Sequence, residues 1–175
     1  MEVELVPLCT MHIVVRAPIE IGAGPAGTRR IIENVSAQIK GERLNAEQLG
    51  VAASDWLVVG PEGTGMVDVR LTIQTDDGAA VYMKYNGRLD ASPGSADPAA
   101  VYAAPTFETG DERYAWLNRV QAVGKGIVRP DRKLTTSSTR FANRTGVTDW
   151  TSRSRSAAPR PPSLSPDRPS TRPRG

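Results

Sequence analysis

Histidine and cysteine are almost absent from this chain, which has one of each among its 175 residues. Zinc sites are built from several such side chains, so the composition argues against a zinc centre. The single cysteine, Cys9, excludes a disulfide within the chain and lies in an apolar run where a buried small side chain is expected. His12 is expected to be an ordinary strand residue. The sequence also lacks a Walker loop, a nucleophile elbow and a Ser-His-Asp order.

Long apolar runs are missing as well. The first residues, "MEVELVPLCT", are acidic rather than basic and contain no sustained apolar stretch. A signal peptide needs a basic start followed by an apolar core, and a membrane helix needs about 20 apolar residues. We therefore expect a cytoplasmic protein with no membrane contact.

Charge is divided unevenly along the chain. Residues 129–175 contain 11 Lys and Arg against 3 acids, out of 22 and 19 in the whole chain, so residues 1–128 contain 11 against 16. The body carries about −5 and the tail about +8. The tail is rich in Ser, Pro and Arg and has almost nothing to bury, which predicts disorder over 129–175 after a single domain at 1–128.

The apolar residues of the body favour strands. The segments "WLVVG", "MVDVRLTIQ" and "AAVYMKY" are short, rich in β-branched residues and separated by turn signals. "PEGTG" at 61–65 and "TDDGA" at 75–79 supply the Pro, Gly and Asp-Gly that tight hairpins need. The sequence predicts two consecutive hairpins in an all-β, antiparallel fold.

One glycine-rich segment, "IGAGPAG" at 21–27, spells the fingerprint of flavin and nicotinamide proteins. That site needs a strand running into the first glycine and a helix beginning after the third. Pro18 interrupts the approach, and the following "TRRIIENV" is rich in β-branched residues. We interpret the segment as a loop between two strands and expect no cofactor.

Several blocks in order, "PIEIGAGPAGTRRII", "SDW", "DVRLTIQTDDGAAVY" and "FETGDERYAWLNR", resemble the domain-of-unknown-function 3237 family. This family of small bacterial proteins is also grouped as uncharacterised protein family 0311. The resemblance covers residues 3 to about 128 and implies a single compact antiparallel β-barrel with no assigned activity.

The chain departs from the family pattern in three places. Relatives usually have paired glycines where this chain has Ser36-Ala37 and Ala52-Ala53, and an Arg-Thr pair where it has Ala103-Ala104. If that arginine binds an anion in relatives, this protein binds something else or has lost the activity. The closing strand expected soon after Pro130 is not visible in the sequence.

The alternation in "MVDVRLTIQ" puts Asp68 and Arg70 on one face of a strand. In a half-buried strand this polar face looks at water, whereas in a small barrel it lines a cavity and a partner subunit can cover the apolar face. If the next hairpin pairs residues whose numbers sum to 154, Tyr82 reaches the polar face too. We predict that Asp68, Arg70, Tyr82 and Glu108 converge on one cavity.

The stretch "TFETGDERYAWLN" supplies further candidates. Glu108 is the candidate general base, because burial beside aromatic side chains would favour proton transfer near neutral pH, and Tyr82 is its catalytic partner. Asn118 is a candidate donor to an oxyanion, and Trp116 a candidate wall of the binding pocket. Asp55, next to Trp56, is a further candidate for substrate binding. For each, bracing or capping a turn is the alternative.

Two functions remain open from the sequence. The first is a cofactor-independent enzyme, of isomerase, cyclase or lyase type, acting on a small partly apolar molecule inside the barrel. The second is a barrel of the same shape that binds a small ligand without chemistry. Nucleic-acid binding rests on the basic tail alone, which lacks interleaved aromatics apart from Trp150. The sequence leaves open a homo-oligomer.

Overall fold

Strands make up nearly all of the described chain. The computed structural model describes residues 3–92, 99–129 and 131–143, without the side chains of 3 and 141–143. Its elements are β1 (Val3–Val15), β2 (Ile19–Gly24), β3 (Gly27–Lys40), β4 (Ala46–Gln48), β5 (Ser54–Asp55), β6 (Val58–Val59), β7 (Thr64–Thr75), β8 (Ala80–Asp90), β9 (Ala99–Glu108), a 3₁₀ helix (Glu112–Arg119), β10 (Ala122–Val128) and β11 (Lys133–Asn143).

These strands form one closed antiparallel barrel with eight strand positions. The order around it is β1, β11, β10, β9, β8, β7 and β4, then β3, which pairs with β1 and closes the circle. The short strands β5 and β6 also pair with both β3 and β7, so they share one position with β4. The prediction of an all-β antiparallel barrel is confirmed.

Both predicted hairpins are present. Strand β6 pairs with β7 around the turn near Gly63, and β7 pairs with β8 around the turn near Gly78. The two glycines have φ of 79° and 90°, a backbone conformation that is unfavourable for residues with a Cβ. Arg70 lies opposite Lys84, which confirms the predicted register.

The glycine-rich segment is a hairpin rather than a cofactor loop. Strand β2 ends at Gly24, Pro25 and Ala26 form the turn, and β3 begins at Gly27. Gly27 has φ of 121°, and a Cβ there would lie 2.6 Å from the carbonyl oxygen of Val59. The third glycine therefore permits close contact between strands, and no helix N-terminus follows it to face a phosphate.

The barrel interior is filled at one end and open at the other. The filled end contains the most deeply buried side chains, among them Ile39, Leu44, Ile73, Met83 and Leu117. Leu117 comes from the 3₁₀ helix, so this helix contributes to the packing there. Towards the other end the inward positions of β1, β3, β7 and β8 surround a cavity. The packed end supplies a hydrophobic core, and the open end has space for a ligand.

Strand β11 corrects the predicted domain boundary. It pairs along its length with β1 and β10 and brings Thr136 and Ser138, which are 3% and 4% exposed, into the interior. The prediction that the barrel ends at residue 128 and that disorder begins at 129 is wrong over 133–143. The sequence does not predict this strand because Leu134 is followed at the next two inward positions by the small polar side chains of Thr136 and Ser138, which break the aliphatic alternation. The rest of the predicted tail, residues 144–175, lies outside the described residues.

Ending the chain after residue 131 should abolish cooperative unfolding, because the barrel would lose the strand that joins β1 to β10. A control that ends after residue 143 keeps β11 and should melt close to the full chain, since the sequence beyond it has little apolar area to bury. Thermal unfolding followed by circular dichroism measures both. An unchanged melting temperature for the shorter chain would contradict the role of β11.

Candidate functional site

The open end of the barrel contains a cavity of about 220 Å³. Its walls are largely aliphatic and include Ile13, Ile32, Leu57, Val67 and Val101. The volume is below the roughly 300–1,000 Å³ typical of drug-sized ligands and would hold roughly seven water molecules at liquid density. The cavity therefore suits a molecule of about one ring with an apolar body.

Strand register places a carboxyl and a phenol side by side in this cavity. Asp55 of β5 lies opposite Val69 of β7, and Val69 lies opposite Tyr85 of β8. Residues in register across a sheet project from the same face. All three line the cavity, so Asp55 and Tyr85 flank one valine on the inner surface.

Asp55 is a partly desolvated carboxyl. Burial raises its pKa from 3.8 to about 6, and the negative charge of Asp68 adds to the rise. A hydrogen bond acts in the opposite direction, because the backbone N–H of Asp68 donates to Asp55 Oδ1 at 3.0 Å. A carboxyl with this pKa exists in both protonation states near neutral pH, which suits it to proton transfer.

Tyr85 is 4% exposed. Burial raises its pKa well above the ordinary value, and the neighbouring charge of Asp55 raises it further. The side chain is therefore a neutral phenol at physiological pH, able to donate a hydrogen bond from its hydroxyl group.

Asn34 is a second polar group on the cavity wall. It is 8% exposed, and its Nδ2 is buried without a hydrogen-bond partner within the described structure. An unpaired buried amide is costly in a folded protein. The aliphatic cavity therefore contains three polar groups: Asn34 of β3, Asp55 of β5 and Tyr85 of β8.

Sequence reasoning proposed Asp55 but missed Tyr85 and Asn34. Tyr85 could have been predicted, because the correct register of the β7–β8 hairpin places it opposite Val69, on the apolar face of the sheet. Asn34 comes shortly after the β-branched residues Ile31 and Ile32, and no sequence pattern there predicts that it faces the cavity.

Asp68 and Arg70 do not face the cavity. Val67, Val69 and Leu71 of β7 are buried inside the barrel, so the residues between them point outward. Arg70 Nη2 lies 3.0 Å from Asp68 Oδ2 on the outer surface, where their side chains are 48% and 31% exposed. The prediction that these two side chains line a cavity is wrong, because closure of the barrel turns the apolar face inward.

Tyr82 and Glu108 also lie outside the cavity. They are directly opposite each other on β8 and β9, on the outer face of the barrel. Together with Asn118 they line a shallow open depression. The predicted convergence of Asp68, Arg70, Tyr82 and Glu108 is therefore wrong: two of them share this depression and the other two form an ion pair elsewhere. Glu108 is exposed and lacks the burial that its proposed role requires.

The segment after β9 braces the β7–β8 hairpin. Asp111 caps the 3₁₀ helix by accepting from the backbone N–H of Arg113 at 3.0 Å. The Arg113 guanidinium bridges Asp111 and Asp77, and the Tyr114 hydroxyl donates to Asp77 Oδ1 at 3.0 Å. A hydrogen bond from the Thr75 hydroxyl lowers the pKa of Asp77. Hydrogen bonds from Arg113 lower the pKa of Asp111. These two carboxylates therefore stabilise the helix and the β7–β8 hairpin.

Asn118 and Trp116 complete the same brace. Asn118 Oδ1 accepts from the Thr109 N–H at 2.8 Å, and Asn118 Nδ2 donates to the Thr109 carbonyl at 2.9 Å. Trp116 packs partly against the core and stacks under the Arg43 guanidinium, 4.2 Å from its ring centroid. Neither side chain lines the barrel cavity, so the prediction that Trp116 is a wall of that cavity is wrong. Asn118 lies beside Tyr82 and Glu108 in the outer depression, and its role as a donor to an oxyanion stays a prediction.

No group of three or more His, Cys, Asp or Glu residues lies together within 3–92, 99–129 and 131–143. No helix in the described part of the chain is long and apolar enough to cross a bilayer.

Asn118→Ala should lower the free energy of unfolding by about 1–2 kcal/mol, because it removes two hydrogen bonds that hold the loop after β9. Glu108→Gln, a neighbouring change on the same surface, should leave stability within about 0.5 kcal/mol. Urea denaturation measures both values. Equal effects of the two substitutions would contradict the structural role of Asn118.

Known proteins resemble this chain in sequence. A UPF0311 protein of Rhodopseudomonas palustris (strain ATCC BAA-98 / CGA009) is 32% identical over 124 residues, which cover 65% of this chain and 78% of that protein. A UPF0311 protein of Clostridium acetobutylicum is 33% identical over 120 residues, covering 62% of this chain and 75% of that protein.

Solved structures show the same fold. A protein with unknown function from Clostridium acetobutylicum ATCC 824 superposes with a TM-score of 0.73 at 26% identity, over 81% of this chain and 100% of that one. A beta-barrel like protein from Acinetobacter baumannii AYE gives 0.72 at 27% identity, over 81% and 98%. An enzyme from Penicillium herquei gives 0.59 at 22% identity, over 79% and 93%, a likeness of fold alone.

The family profile described as "Protein of unknown function (DUF3237)" matches residues 3–140. This match includes β11 up to Arg140 and so extends beyond the boundary expected from the sequence. With the barrel fold and the related proteins, it shows that this chain belongs to the DUF3237 family.

Proposed function

We propose that the protein is a cofactor-independent enzyme that moves a proton on a small, partly apolar molecule inside the barrel cavity. The reaction class is an isomerisation, cyclisation or elimination, each of which needs proton transfer and no redox partner. Asp55 accepts or donates the proton, and Tyr85 donates a hydrogen bond to a substrate oxygen. The observation that supports this proposal best is the inward-facing Asp55 carboxyl, whose pKa is raised to about 6 beside a buried phenol.

The energetics favour Asp55 in this role over Glu108. A proton-transfer group works best when its pKa lies near the working pH and when water is largely excluded around it. Asp55 meets both conditions in the cavity, whereas Glu108 is exposed on the outer surface. The catalytic role first predicted for Glu108 and Tyr82 therefore passes, in this proposal, to Asp55 and Tyr85.

Three polar groups in the cavity have complementary abilities. Asp55 exchanges a proton, and the Tyr85 hydroxyl stabilises negative charge that develops on oxygen. Asn34 adds an amide whose Nδ2 has no hydrogen-bond partner in the described part of the chain. The aliphatic walls hold the apolar body of the substrate and reduce access of water, which strengthens these interactions.

A protein of similar fold supports the enzyme proposal in a general way. The structure from Penicillium herquei, at a TM-score of 0.59, is described as an enzyme. The barrel is thus compatible with catalysis, although the chemistry of each member depends on the side chains inside it.

Proton exchange tests the proposal directly. Compounds that co-purify with the protein, identified by mass spectrometry, and a panel of one-ring ketones including phenylacetone are incubated with the protein in D₂O. Proton NMR then measures the loss of the C–H signal beside the carbonyl. Asp55→Asn should slow enzyme-dependent exchange at least about 100-fold, the usual contribution of a general base. Tyr85→Phe should slow it by about tenfold, the value of one hydrogen bond.

Glu108→Gln is the matched control, because it makes the same chemical change on the outer surface and should leave the exchange rate unchanged. Equal rates for the wild type and Asp55→Asn would contradict the proposed mechanism. Ligand binding without exchange or product would favour the alternative of a non-catalytic binding barrel.

A further inference from the structure

Positive charge is concentrated at the mouth of the barrel cavity. Arg30 of β3 and Arg132 and Lys133 at the turn between β10 and β11 line the cavity, whereas Asp55 is the one acidic side chain among the lining residues that the structure describes. The three cations come from two separate hairpins that meet at the same opening. The cavity thus combines an apolar interior with a cationic rim.

Two of these three cations already form ion pairs with neighbouring carboxylates. Arg30 Nε lies 3.1 Å from the Glu20 carboxylate, and Lys133 Nζ lies 3.0 Å from Asp131 Oδ2. Arg132 forms no ion pair with any residue in the described ranges. A guanidinium that lies beside an apolar cavity and has no ion-pair partner in those ranges can bind an external anion, and its planar donors match a carboxylate.

The backbone of Arg132 has an unusual conformation. Its φ is 62°, and within the described chain it is the one residue other than glycine with a positive φ. Two backbone hydrogen bonds fix it there: its N–H donates to the Arg129 carbonyl at 3.0 Å, and its carbonyl accepts from the Val15 N–H at 3.1 Å. Glycine adopts this conformation with less strain, so the turn alone does not account for an arginine. Residues that are held in an unfavourable backbone conformation often lie at binding or catalytic sites.

We propose that Arg132 is the recognition residue for a carboxylate on the ligand of the barrel cavity. The ligand is then a small organic acid whose ring or alkyl body lies against the aliphatic walls and whose carboxylate is bound at the rim. Arg30 and Lys133 add attraction from either side, although their own carboxylate partners reduce it. Binding the anion at the rim keeps it apart from the Asp55 carboxylate deeper in the cavity.

This inference rests on the proposed function only in that the ligand occupies the same cavity, and binding assays without turnover separate the two. Fluorine NMR measures the dissociation constants of 3-fluorobenzoate and of 3-fluorobenzamide, its neutral counterpart of similar shape, with the full-length protein. The acid should bind at least about tenfold more tightly than the amide, as expected for one charge-assisted contact.

Arg132→Gly is the informative variant, because it removes the guanidinium and also relieves the backbone. It should remove the preference for the acid, leave affinity for the amide unchanged and not lower the melting temperature. Arg132→Lys should keep part of the preference. Arg129→Ala, which removes the same charge from the same turn at a residue that does not line the cavity, should change neither affinity.

Three results would overturn the assignment. Equal affinities of the wild type for acid and amide, or binding of neither, would show that the rim does not select an anion. Equal losses in Arg132→Gly and Arg129→Ala would show that only the general charge of the turn matters. None of these outcomes depends on whether Asp55 transfers a proton.

Discussion

Closure of the barrel is the constraint on which the rest of the structure depends. Because β3 pairs with β1 and β11 joins β1 to β10, each strand of the closed circle has one face inside the barrel and one face outside it. Adjacent residues then have opposite environments, as Asp68 and Val69 do on β7. The same constraint brings Asp55 and Tyr85 together, although they lie on strands separated by β7. The proposed chemistry follows from register and closure rather than from any contiguous motif.

Incomplete filling of the interior gives this barrel its candidate site. Large side chains such as Leu71, Ile73 and Met83 fill one end, whereas the aliphatic side chains at the other end surround a cavity that they leave open. A polar group inside an apolar cavity is costly unless it finds a partner. Asn34 Nδ2 has no hydrogen-bond partner within the described residues, and Asp55 has one, the backbone N–H of Asp68. A ligand that pairs with both side chains would offset the cost of burying them.

Much of the fold could be predicted from local patterns. The Asp-Gly of one turn, the Pro and Gly of "PEGTG" in the other and the β-branched alternation predicted both hairpins, and the register that pairs Arg70 with Lys84 followed from the turn. Alternation assigns residues to two faces, however, and does not say which face is inside. That choice depends on closure between β1, β3 and β11, which are distant in sequence. Strand β11 was hard to predict for a related reason. Its inward Thr136 and Ser138 face Gly126 and Gly124 across the sheet, and packing against these glycines buries small polar side chains where large apolar ones would be expected.

The segment at residues 106–118 has many side chains of types found in active sites, but in this protein they stabilise the structure. Its carboxylate, guanidinium, phenol and amide groups pair with one another and with the β7–β8 hairpin. The candidate chemistry instead belongs to side chains that look ordinary in the sequence. The most direct test of this account is a carbon-13 NMR titration of aspartate-labelled protein, with the Asp55 carboxyl resonance identified by its loss in Asp55→Asn. We expect a midpoint at about pH 6, so that the group is an acid below it and a base above it. A midpoint at the ordinary value of 3.8 would contradict a desolvated carboxyl in the cavity and the mechanism built on it.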